Sequence, residues 1–254
     1  MNQSAAQRIL QGLQHSYQDQ TDYRMAAEVE FPHLKMRDYR RIQAELEALH
    51  FRHLVDYENM RVSSRPNALI KRTLIRCYLS IDGDIAAAHY QIRPRLRRRL
   101  ILLLKGFWNL RWIAAPRDFM RALKTRNVVD FETELSDGTF IATSNAQAAA
   151  KITLPSSIDS EHYPYGHPAS LLLERHRQRL AARLAASPGV EPRAVTSVND
   201  VLAKEARMHS LKAKHRQEVG WITNSELQQM SGNNPALADQ VYKEVQKLLR
   251  GGQG

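Results

Sequence analysis

One cysteine, Cys77, stands in 254 residues. A single thiol excludes an intramolecular disulfide and a Cys-rich zinc site. It lies in a run of alternating apolar residues, so a buried structural thiol is expected, compatible with a reducing compartment. Long apolar runs are also lacking. A spanning helix needs about 18 or more largely apolar residues, and the clearest run here, residues 100–104, stops at Lys105. The stretch MNQSAAQRILQGLQHSYQDQ has neither the apolar core nor the cleavage site of a secretory signal. These absences lead us to expect a soluble, cytoplasmic chain, at most peripheral to the inner face of a membrane.

Catalytic signatures are missing as well. No GxSxG, HExxH, Walker-type or GxGxxG pattern occurs. No cofactor is expected, and no small-molecule substrate can be inferred. Repeats, coiled-coil heptads and low-complexity tracts are absent too. With 43% hydrophobic and 25% charged residues, the chain can build a core and is neither a disordered polyelectrolyte nor a membrane bundle.

What is present is charge in one place. Between residues 91 and 126 stand nine arginines and two lysines against the single acid Asp118, so ten of the chain's eleven net positive charges fall there. The remainder is nearly neutral.

Hydrophobic period gives the surrounding architecture. SAAQRILQGLQHSY places Ala6, Ile9, Leu10 and Leu13 at helical spacing, and MRDYRRIQAELEALHF does so with Tyr39, Ile42, Leu46 and Leu49, Asp38 serving as cap. The period then shortens to two. In ALIKRTLIRCYLSI, Leu69, Thr73, Ile75, Cys77, Leu79 and Ile81 share one face. Asp82-Gly83 and Asp137-Gly138 each separate strand-like runs, and Asp-Gly supplies the positive φ of a tight hairpin. The expected fold is α+β. An antiparallel meander of about five strands (51–62, 69–81, 85–92, 128–135, 139–144) follows a helix, with the basic segment inserted between strands three and four. An insertion of that length exceeds the usual two to about five residues of a hairpin loop.

Downstream, PSSIDSEHYPYGHPAS is read as a loop, and SLLLERHRQRLAARLAA as a helix burying Leu172, Leu173, His176, Leu180 and Leu184. SPGVEPRAVTS marks a linker, which divides the chain into an α+β domain over 1–186, a linker over 187–197 and a helical region over 198–254. That last region reads as two long helices around a short one, with Thr223 or Asn224 and Asn234 as caps and Pro235 at a first helical position. Its nearly balanced charge favours helical packing or partner docking over a DNA-binding helix pair.

Three readings of the basic segment compete. Drawn as a helix, 97–113 places Leu100, Ile101, Leu103, Leu104, Phe107, Trp108, Leu110 and Trp112 on a broad apolar arc, with Arg98, Arg99, Lys105 and Asn109 opposite. Arg97 and Arg111 interrupt the apolar side near its ends, where their stems can snorkel. In the first reading this helix covers the apolar face of the sheet. In the second it lies in a membrane interface, since Lys and Arg beside Trp, Phe and Leu suit an anionic surface. The binding residues would be Arg97, Arg98, Arg99, Lys105, Phe107, Trp108, Arg111 and Trp112, and the partner an anionic membrane or a membrane-associated protein. In the third the same cations bind nucleic acid, although no RNP, KH or zinc-finger pattern supports it.

Two smaller clusters complete the reading. Asp159, Glu161, His162, His167 and His176 lie close in sequence, and His162, His167 and His176 could ligate a metal in a metal-dependent enzyme. Their spacing matches no known ligand pattern, and Pro164, Gly166 and Pro168 already explain an ordered turn. Asp130, Glu132 and Glu134 form an acidic stripe on one strand face, expected to be solvated or to hold Arg117, Arg121 or Arg126. The preferred function is that of a non-enzymatic interaction or accessory protein acting through 93–126.

Overall fold

The computed structural model describes residues 4–17, 22–60, 71–93, 124–231 and 234–251. Among them, seven strands form one sheet ordered as they occur in the chain: β1 (Tyr23–Met25), β2 (Phe51–Asn59), β3 (Leu74–Ser80), β4 (Ala86–Ile92), β5 (Arg126–Glu134), β6 (Phe140–Ser144) and β7 (Ile158–His162). Six α-helices accompany them: α1 (Ala5–Ser16), α2 (Met36–Ala48), α3 (Ala169–Ala186), α4 (Val198–Glu218), α5 (Asn224–Met230) and α6 (Pro235–Gly251). None of these is long and apolar enough to cross a membrane.

Strands β2 to β6 run antiparallel in chain order and overlap the five expected stretches with somewhat different bounds. Residues 61–62 and 69–70 of the expected strands lie outside the described residues. The sheet departs from the expectation at both edges. β1 adds three residues antiparallel to β2, too few to show a period. β7 falls within the stretch read as a loop and pairs parallel to β6, so the sheet is mixed. Only Ile158 of β7 is both apolar and buried, so an apolar alternation is missing from its sequence. Asp38 is not a cap. α2 begins two residues earlier, and the Asp38 carboxylate accepts hydrogen bonds from Asn127 Nδ2 at 3.2 Å and Gln91 Nε2 at 3.3 Å.

Helix termini downstream follow the sequence signals. Ser197 and Thr223 close capping boxes with Asp200 and Glu226. Asn234 Oδ1 accepts from the Leu237 N–H at 3.1 Å, with Pro235 at the first helical position.

Strand alternation sorts the core into two layers. On one face Phe51, Tyr78, Val129 and Phe131 pack against Ile42 and Leu46 of α2 and Leu172 and Leu173 of α3. On the other, Tyr57, Cys77, Leu79 and Ala86 meet Val201 of α4, and Phe140 and Ile158 meet Met208 of the same helix. Both faces of the sheet therefore carry helices other than the basic segment. α1, α5 and α6 form a separate cluster around Leu10, Leu227, Val241 and Val245. Arg216 of α4 ties the two parts together. Its buried guanidinium reaches Glu226 Oε1 at 2.8 Å and Thr153 Oγ1 at 2.7 Å, while Glu226 accepts the Thr153 and Thr223 N–H groups.

Residues 187–197 run along the hairpin end of the sheet. Pro192 bridges Leu135, and the Val195 N–H donates to the Gly83 carbonyl at 3.0 Å. Gly83 has a φ of +75°, and a Cβ there would stand 2.6 Å from the Val195 carbonyl oxygen. Gly138 has a φ of +79° with nothing within 4 Å. Alanine in the left-handed region costs about 1–2 kcal/mol at either turn, and only Gly83 adds a backbone collision. Thermal melts should therefore show Gly83→Ala lowering the midpoint clearly more than Gly138→Ala. Equal losses would mean that the contact with Val195 contributes nothing.

Arg216→Leu should cost about 3–5 kcal/mol in denaturant unfolding, because it leaves the buried Glu226 carboxylate without its charge partner. An Arg216→Leu, Glu226→Leu double variant that recovers part of this loss would confirm that the stranded charge is the cause.

Candidate interaction site

Antiparallel pairing gives the sheet two chemically different ends. The β3–β4 and β5–β6 turns lie at one end and carry Asp82, Asp84 and Asp137. Asp137 is paired with Arg183 at 2.6 Å. β4 and β5 are joined at the opposite end, where Ile92 is the register partner of Arg126. The basic segment therefore departs from and returns to neighbouring strands. Residues 94–123 lie outside the described residues, and with them Arg97, Arg98, Arg99, Lys105, Phe107, Trp108, Arg111 and Trp112.

The base of the segment is described, and it is basic and pinned. The Lys71 N–H donates to the Arg93 carbonyl at 2.9 Å. The buried Gln91 amide accepts from the Lys35 N–H at 2.9 Å and donates to the Lys35 carbonyl at 3.1 Å. The Arg126 guanidinium lies 4.8 Å from the Tyr165 ring centroid, within cation–π range. His33, bonded to the Arg72 carbonyl at 2.9 Å, has its pKa pushed down by burial and by the charges of Lys71, Arg93 and Arg72. Lys35, Lys71, Arg93 and Arg126 thus surround the place where the segment joins the sheet.

The acidic stripe on β5 has a different role from the one expected. Glu132 and Glu134 are not solvated, because α4 lies over them and supplies their cations; Arg117 and Arg121 lie outside the described residues. Glu132 meets Lys204 at 2.6 Å, and Glu134 takes Arg207 in a two-pronged pair at 2.6 and 2.7 Å. Burial pushes Glu132 up, but the ammonium charges of Lys204 and Lys212 outweigh it and hold the carboxyl low. Glu205 is pushed up by burial and by Glu132 beside it. Asp130 is raised to about 7 by burial and by the Glu132 charge, against hydrogen bonds to Ser144 and Tyr90. The sequence of α4, with mixed charges all round, gave no sign that Lys204 would be almost fully buried. Three acids alternating on a strand were the available signal, since a covered face of that kind requires cations in its cover.

The three candidate metal-ligating histidines occupy different surroundings. His176 on α3 is fully buried between Thr133 Oγ1 at 3.0 Å and Thr143 Oγ1 at 3.2 Å, and burial lowers its pKa to about 3. His162 on β7 sits on the other face, with Nδ1 2.8 Å from Ser144 Oγ. His167 precedes α3, its ring 5.3 Å from Tyr163. Among the described residues, no three His, Cys, Asp or Glu side chains gather as a metal site. Cys77 is 2% exposed, and burial pushes its thiol up to about 12, the buried structural role expected of it.

No protein-family model, no curated protein and no solved structure matches this chain. The fold and the site define its class directly: an α+β protein with helices on both faces of a mixed sheet and a basic segment inserted at one end.

The Asp130 shift has a measurable consequence. Between the ordinary carboxylate value of about 4 and about 7, the folded chain keeps a proton that the unfolded chain releases. Its contribution to stability is present below pH 4 and is lost as pH rises through that window. Asp130→Asn removes this loss. Urea unfolding should show the variant gaining on the native chain between about pH 4 and 7 and holding a constant difference above. A pH-independent difference would contradict the assignment.

Proposed function

We propose that this chain is a non-enzymatic interaction protein that contacts an anionic membrane surface peripherally through residues 93–126. One observation carries the reading: α2 and α3 occupy one face of the sheet and α4 the other. A basic amphipathic segment is therefore not needed as the sheet's cover, which was the main competing use for its leucines. Its two ends emerge side by side among Lys35, Lys71, Arg93 and Arg126. Such a charge distribution orients the chain toward a negative surface, each basic residue near that surface contributing about 1 kcal/mol. Trp108 and Trp112 are the residue type that settles at the headgroup boundary.

Sedimentation with vesicles tests this. The 254-residue chain should pellet with phosphatidylserine-containing vesicles and stay in solution with pure phosphatidylcholine. Replacing Arg97, Arg98 and Arg99 with Glu should abolish pelleting, and Trp108→Ala should weaken it. Failure to bind either vesicle would remove the proposal. A salt-sensitive nucleic-acid mobility shift that ignores Trp108→Ala would reassign the segment to nucleic acid.

A further inference from the structure

Beside Arg126 a cleft of about 310 Å³ opens between α2, the start of β5, the residue that follows β6 and the beginning of α3. That volume is at the small end of the range for small-ligand sites. The polar lining of the cleft includes two arginines, two asparagine amides and one carboxylate. Arg41 of α2 and Arg126 of β5 both line it, so guanidinium groups come to it from two different elements. Pro168, which has no N–H, precedes Ala169, the first residue of α3, an eighteen-residue helix whose first turn receives no side-chain cap, so the positive end of the helix dipole lies at the wall.

Asn145 supplies the most specific element. It is only 3% exposed, yet it lines the cleft. Its Oδ1 accepts the Val129 N–H at 2.9 Å. That bond fixes which end of the amide is oxygen, because only oxygen can accept there. The amide nitrogen faces the other way and makes no hydrogen bond to any described residue. A nearly buried amide with unused donors at the wall of a cleft calls for an acceptor. The only carboxylate in the lining, Glu45, pairs with one guanidinium nitrogen of Arg41 on the same helix, so the two charges offset each other and Arg41 offers its remaining N–H groups to a ligand.

We propose that this cleft binds a phosphate monoester. Two guanidiniums, one amide and a helix N-terminus approach from different directions, which suits the terminal oxygens of a tetrahedral dianion better than a planar carboxylate. The chemistry is shared by a soluble phosphorylated metabolite and by the headgroup of phosphatidic acid. The proposal concerns residues distinct from those of the membrane reading, Arg126 excepted, and it adds a small anionic ligand that the sequence did not suggest.

Calorimetric titration of the full chain with glycerol 3-phosphate, and sedimentation with phosphatidylcholine vesicles containing phosphatidic acid, test it in parallel. Binding should saturate in at least one arm: glycerol 3-phosphate identifies a soluble source, and phosphatidic acid alone identifies the lipid. Asn145→Asp keeps the oxygen that accepts from Val129 and places a carboxylate where the amide nitrogen was, so binding should be lost. Arg41→Gln should weaken binding about tenfold or more, the equivalent of one charge-assisted hydrogen bond.

Absence of binding in both arms overturns the proposal, as does unchanged binding by a folded Asn145→Asp variant. Should that variant fail to fold, unchanged binding by an Arg41→Gln, Arg126→Gln double variant overturns it instead. The two readings also fail separately. Glycerol 3-phosphate binding without vesicle binding keeps the cleft and removes the membrane contact. Pelleting with phosphatidylserine that is indifferent to Asn145→Asp, without glycerol 3-phosphate binding or preference for phosphatidic acid, does the reverse.

Discussion

The pairing of β5 with α4 is the constraint on which the arrangement of this molecule rests. Glu132 and Glu134 point from the sheet toward a helix that answers them with Lys204 and Arg207. Lys204 is 2% exposed at its side chain, and an ammonium that deep is tolerable only with carboxylates in contact. Such a pair adds little net stability against an apolar alternative, but each partner makes the other obligatory. The charges therefore fix where α4 sits along the strand, while Val201 and Met208 on the same helix supply the apolar contacts with β2, β3, β4, β6 and β7.

Placing α4 in this way has consequences beyond the strand. With α2 and α3 on the opposite face, the sheet has helices on both sides, and the Arg216–Glu226 pair with Thr153 carries the order onward to α5 and the cluster it shares with α1 and α6. Ionic contacts thus fix where α4 sits, while apolar contacts hold α2 and α3 on the opposite face. Neither face of the sheet depends on the insertion between β4 and β5 for the helices that pack on it among the described residues.

The sequence made the local chemistry legible and left the long-range pairing hidden. Asp82-Gly83 and Asp137-Gly138 mark hairpins because two adjacent residues determine the turn. The buried side of α3 is readable because Leu172, Leu173, His176 and Leu180 repeat at helical spacing. β7 was not readable, because its pairing to β6 is made by backbone groups and only Ile158 contributes an apolar anchor. The acidic stripe was visible, yet its partners lie about 70 residues away on a helix whose charges look like those of a surface helix. The cleft was less accessible still. Arg41, Arg126, Asn145 and Ala169 come from four separated stretches, and the unused Asn145 donor is defined only once Val129 claims the other end of the amide.

The same ion pairs explain why one segment accounts for nearly all the excess charge. Arg76 is 6% exposed at its side chain and lies between Asp56 and Glu28; Arg72 and Arg24 share the buried Glu58; Arg179 meets Asp159. Each of these cations is matched by a carboxylate within the fold, so their fields largely cancel beyond a Debye length of about 8–10 Å. Residues 91–126 hold one acid against eleven cations, and nothing in that stretch itself can cancel them. By contrast, Arg24, Arg72, Arg76 and Arg179 are neutralised at short range within the fold. At contact range a different feature decides which anion fits: the fixed donors of Asn145 and α3, which act over a hydrogen-bond length and can distinguish a phosphate monoester from a diffuse negative surface.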